Sequence, residues 1–105
     1  MKGKMRQSIA VLLTVTGFTP SATAQDVEAG FLIARRWCSG CHEIGRAPVQ
    51  NDVSPPFVAI ARMTSTTNIS LNAFLSTSHN RMPDYSLTRR EIADVSAYIL
   101  SLKSK

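Results

Sequence analysis

The chain has 105 residues, 44% of them hydrophobic, with twelve Lys and Arg against seven Asp and Glu, a formal net charge of +5. That length supports one small domain, whose core stays limited unless something besides side chains fills it. Lys2, Lys4 and Arg6 supply three of the positive charges; beyond them nine basic residues face seven acidic ones, a net of +2, which is too mild for a nucleic-acid binder.

The N-terminus reads as a secretory leader. After the basic residues comes a ten-residue apolar stretch, Ile9 to Phe18, then Pro20, then the small-x-small pattern Ala22-Thr23-Ala24. A membrane span needs about 20 apolar residues, so this stretch is not expected to remain as an anchor. Cleavage after about Ala24 removes residues 1–24 and leaves a mature domain of 81 residues, Gln25 to Lys105. No cysteine lies near the cleavage pattern, so lipid attachment there is not expected either.

Residues 26 to 37 have the spacing of a helix, with Val27, Gly30, Phe31 and Ala34 on one face. Asp26 suits the N-cap and Glu28 the first turn. Trp37 ends the helix. Cys38-Ser39-Gly40-Cys41-His42 follows at once and holds both cysteines of the chain. C-x-x-C followed by His is the attachment pattern of a c-type haem. Two thiols at that spacing can form thioethers to the vinyl groups on one edge of the porphyrin. His42 is then held where its imidazole can ligate iron.

Three other chemistries share part of this pattern. A thioredoxin-like dithiol expects alternating strands and helices around it, and no window of this chain reads as a strand. Structural zinc needs four ligands, whereas the other histidine, His79, stands alone. A plain disulfide has no use for His42. Motif and leader also reinforce each other, because haem is joined to such motifs on the outer side of the energy-transducing membrane.

From Ile44 to Pro56 the residues Gly45, Pro48, Asn51, Asp52, Ser54, Pro55 and Pro56 forbid a long regular element. This loop is expected to wrap the proximal side of the haem. Phe57 to Met63 reads as a short helix started by proline. Ser70 suits the cap of a third helix, Leu71 to about Thr77, with Leu71, Phe74 and Leu75 as its apolar face. A second loop, Ser78 to Leu87, carries His79, Met82, Pro83 and Tyr85. Thr88-Arg89-Arg90-Glu91 is a capping box. It opens a last helix, about Arg89 to Leu102, striped by Ile92, Val95, Ile99 and Leu102 with Tyr98 beside the stripe. The fold class is therefore all-α.

Met63, Met82 and His79 compete for the distal side of the iron. Met63 falls in helical register with Phe57 and Ile60 and reads as core. Met82 lies in a loop 40 residues after His42, and Pro83 stiffens the backbone next to it. Methionine sulfur raises the reduction potential of haem iron. Met82 is the expected ligand, with His79 and an open site as the alternatives.

The mature chain resembles a class I bacterial cytochrome c of the short, single-haem type. The resemblance rests on Cys38-Ser39-Gly40-Cys41-His42, on Arg81-Met82-Pro83 and on Glu91-Ile92-Ala93-Asp94-Val95-Ser96-Ala97-Tyr98-Ile99. It implies a cytochrome c fold over residues 25–105, three to four short helices and long loops around one covalent haem c. It implies that Gly30 is the small residue where the first and last helices cross, with Tyr98 as the aromatic opposite. It also implies a proline carbonyl accepting the N–H of His42, with Pro55 expected and Pro56 the alternative. One departure is Ala34, where the family often places an aromatic; Phe31 can fill that space.

The expected function is a periplasmic electron carrier, not an enzyme, meeting donor and acceptor redox proteins transiently and working as a monomer. An open distal site would instead suit a sensor or peroxide chemistry, and a chain without haem would suit thiol–disulfide exchange.

Overall fold

The computed structural model describes residues 2–4, 9–18, 25–47, 54–78 and 81–103. The cleavage pattern at Ala22-Thr23-Ala24, the loop residues Pro48, Asn51 and Asp52, and His79 lie outside them. Four helices follow in order: α1 (Val27–Trp37), α2 (Phe57–Arg62), α3 (Asn68–Leu75) and α4 (Arg89–Ser101). Among the described residues there is no strand, and no helix is long and apolar enough to cross a membrane.

The fold is organised on α4, against which each of the other three helices packs. Its start is fixed by the capping box: the Thr88 hydroxyl accepts the Glu91 N–H at 3.2 Å, and a Glu91 carboxylate oxygen accepts the Thr88 N–H at 2.7 Å. From there Ile92, Val95, Ile99 and Leu102 run down its buried side. The α1 helix starts at Asp26, whose carboxylate accepts the N–H groups of Glu28 and Ala29, both at 3.0 Å. Gly30 and Ala34 are buried against α4, whereas Val27, at the helix start, is 44% exposed.

At the α1–α4 crossing the backbones nearly touch. A Cβ on Gly30 would overlap the carbonyl oxygen of Asp94, lie 2.5 Å from its carbon and 2.9 Å from the Tyr98 Cβ. Only a residue without a side chain fits there. Asp94 ties the same corner from the side: one carboxylate oxygen accepts the Asp26 N–H at 2.9 Å, the other the Arg90 Nε–H at 3.2 Å. Phe31 packs against Tyr98, ring centroids 5.4 Å apart and planes inclined by 59°, beside the small Ala34.

Two sequence expectations need correction. Helix α3 begins three residues before Leu71, with Thr67 as N-cap and Ser70 as the third residue of a reciprocal cap. Both residues carry the hydroxyl that suits a cap, and Thr67 takes the position because a serine at N3 can return the hydrogen bond. Met63 is not core. Helix α2 ends at Arg62, the Met63 backbone is extended, and its side chain is 52% exposed.

Candidate cofactor site

The end of α1 passes directly into the turn that carries the two cysteines. The Cys38 and Ser39 N–H groups both donate to the Ala34 carbonyl, at 2.8 and 3.0 Å. The Cys38 carbonyl then accepts from Cys41 and from His42, at 3.2 and 2.9 Å. One carbonyl thus holds the second thiol and the imidazole in a single tight turn. No disulfide joins the cysteines; Cys38 is buried and Cys41 is exposed on the same turn. Burial pushes the Cys38 thiol above its usual pKa.

His42 is oriented from behind. Its Nδ1 lies 2.7 Å from the carbonyl oxygen of Pro55. A carbonyl can only accept, so Nδ1 carries the proton and Nε2 keeps its lone pair for a metal. The Phe57 ring lies against the imidazole, centroids 5.3 Å apart. The Phe57 N–H closes the intervening loop onto the Glu43 carbonyl at 2.9 Å, and Tyr98 donates its hydroxyl proton to the Ile44 carbonyl at 2.6 Å. The two residues that follow His42 in the chain are therefore both anchored.

In front of His42 opens a cleft of about 460 Å³, a size typical of cofactor sites. Cys38, His42 and Pro55 line it together with Met82 and apolar groups including Phe57, Leu71, Val95 and Ile99. Cys41 is not part of the lining. Met63, Phe74 and Tyr85 also face the cleft, and Phe74 is 48% exposed. The structure thus brings Cys38, His42, Pro55 and Met82 to one cavity; Met63 joins them there.

This donor set fits a haem. The imidazole is in the tautomer that can bind iron, two thiols lie on the turn beside it, and the walls are mostly apolar. Two features of the site were not read from the sequence. One is the hydrogen bond from Tyr98 to Ile44, which spans 54 positions. The other is a contact between the rings of Trp37 and Tyr85, 5.3 Å apart. Neither pair has a spacing that announces it.

Over 99 aligned residues the chain is 37% identical to cytochrome c-552 of Bradyrhizobium diazoefficiens, a match covering 92% of this chain and 94% of that protein. No family model matches the chain, and no solved structure matches it significantly.

Proposed function

The chain belongs to the class I c-type cytochromes, and from that membership we propose that it carries single electrons between redox proteins of the periplasm with His42 and Met82 as its iron ligands. It is an electron carrier, not an enzyme, and its cofactor is one covalent haem c. Cys38 and Cys41 supply the thioethers. His42 ligates through Nε2 while its Nδ1–H donates to the Pro55 carbonyl; that bond fixes the ring and raises the basicity of the ligating nitrogen. When bound, the haem would supply a one-electron ferrous–ferric couple, with His42 and Met82 as the residues that would hold its iron.

The carrying observation is the shared cavity. The oriented His42 and the half-buried Met82 both line one mostly apolar cleft. Apolar walls exclude water from the iron and favour its less charged state. Met82 is preferred to Met63 because it stands in a loop next to Pro83, whereas Met63 follows directly on a packed helix.

Residues 1–24 act as an export leader in this reading. The apolar side chains Ile9, Val11, Leu12, Leu13, Val15 and Phe18 are all strongly exposed, as expected of a segment that does not belong to the core. The mature monomer meets donor and acceptor through a small, short-lived interface. Replacement of Met82 by Ala tests the ligand assignment: the haem stays covalently attached and the midpoint potential falls markedly in a redox titration. An unchanged potential would remove Met82 from the iron.

A further inference from the structure

Residues 81–87 contain no helix or strand, so the position of Met82 depends on what holds this loop. Tyr85, three residues after Met82, sets its ring 5.3 Å from that of Trp37, the planes inclined by 36°. Trp37 is the last residue of α1 and directly precedes Cys38. The Arg36 guanidinium lies over the Trp37 ring, 4.9 Å from its centroid. Trp37 and Tyr85 are 38% and 39% exposed, so they meet at the surface, and Tyr85 also lines the cleft.

We propose that Trp37 and Tyr85 form a clasp, a pair of positioning residues that holds the Met82 loop down and sets how readily another ligand displaces the Met82 sulfur. The proposal rests on the reading of Met82 as an iron ligand. One ring belongs to the helix end next to the covalent attachment, the other to the ligand loop, so a single contact couples the two.

The rest of the loop explains why that contact matters. Ser86 has a φ of +51°, left-handed backbone for a residue with a side chain. Such a conformation persists only where its surroundings impose it. The Asp84 carboxylate contributes, accepting the Ser86 N–H at 2.8 Å, and the neighbouring Tyr85 is seated on Trp37. Against the end of α3 the loop packs imperfectly. A gap of about 20 Å³ remains there, lined by Phe74, Leu75, Met82, Pro83 and Tyr85 among others, room for one water. On that side Ser78 donates its hydroxyl proton to the Asp84 carboxylate at 3.3 Å; the ring pair adds a second tie, on the side of Trp37.

The test titrates imidazole into the ferric, haem-loaded protein and follows loss of the far-red absorption band of methionine sulfur on ferric iron. Aromatic pairs are worth about a two- to tenfold factor in an equilibrium constant, so Tyr85→Leu should raise imidazole affinity by about that much. Trp37→Leu should do the same, and the double variant should add little to either. Tyr85→Phe keeps the ring and should behave as the parent. Asp94→Asn, which loosens the α1–α4 corner instead, should leave imidazole affinity unchanged.

Unchanged affinity in Tyr85→Leu overturns the clasp, as does an equal rise in Asp94→Asn, which would mean general loosening. Should Trp37→Leu disturb attachment at the adjacent Cys38, Tyr85→Leu decides alone. A parent protein without the far-red band removes the Met82 reading and the clasp with it, whereas a parent with the band and a flat series removes the clasp only.

Discussion

Gly30 and Tyr98 share one crossing and are sensitive for opposite reasons: one has no room for an atom more, the other has a polar atom that must find a partner. In Gly30→Ala the gain in helix propensity, at most about 1 kcal/mol, competes with a Cβ driven into the Asp94 carbonyl. Backbone cannot swing aside as a side chain can, so the clash wins. A net loss of about 1–3 kcal/mol is expected, read from the denaturant midpoint of the haem-loaded protein. Tyr98→Phe deletes the donor to Ile44 and should cost about 1–3 kcal/mol at neutral pH. Burial raises the Tyr98 pKa, so the folded state prefers the neutral phenol. Its contribution is full below the ordinary tyrosine value of about 10 and is lost as pH rises through the higher folded value. The parent should therefore lose stability above about pH 10 more steeply than Tyr98→Phe does. Both residues were legible through the family's pattern, and both stand where it implies. Met63 was misread because helical register alone does not say where a helix stops.

Helix ends and the contacts between helices carry the next set of expectations. Asp94 serves two partners, and two substitutions separate them. Asn keeps an oxygen for the Asp26 N–H but gives up the ion pair with the exposed Arg90, a loss of about 0.2–1 kcal/mol. Ala strands the Asp26 N–H as well and should cost about 1–3 kcal/mol. Equal effects in thermal unfolding would contradict this division. Thr88→Ala should cost about 1 kcal/mol. The Thr88 N–H, and after it the Thr88 hydroxyl, hold the Glu91 carboxyl below its usual pKa. The stability linked to Glu91 is thus present above the ordinary glutamate value and is lost as pH falls through the lowered one. That acid dependence should weaken in Thr88→Ala. The α4 helix was legible because capping box, stripe and length agreed. The start of α3 was not, because Thr67 and Ser70 both have the hydroxyl that suits a cap, and only their reciprocal bonds decide between them.

Across the whole molecule, helices α1, α2 and α3 all lean on α4, and α1 ends beside the cleft. Met63 and Phe74 line this cleft while remaining about half exposed. Such exposure makes sense if part of the core is the cofactor. The sequence indicated the haem through five consecutive residues, but it could not say which apolar residues face it rather than one another. Replacing both Cys38 and Cys41 by Ala, which prevents covalent attachment, should leave a chain with much weaker far-ultraviolet helical signal than the haem-loaded protein. A fully helical, cooperatively unfolding variant would mean that side chains alone complete the core. The central claim, one haem c held between His42 and Met82, is tested most directly by visible absorption spectra of the mature protein and of its Met63→Leu and Met82→Ala variants, each oxidised and then reduced. Sharp reduced c-type bands in all three, with the far-red band present in the ferric parent and in Met63→Leu and absent only from Met82→Ala, is the expected result; a far-red band that survives in Met82→Ala, or is lost in Met63→Leu, would contradict it.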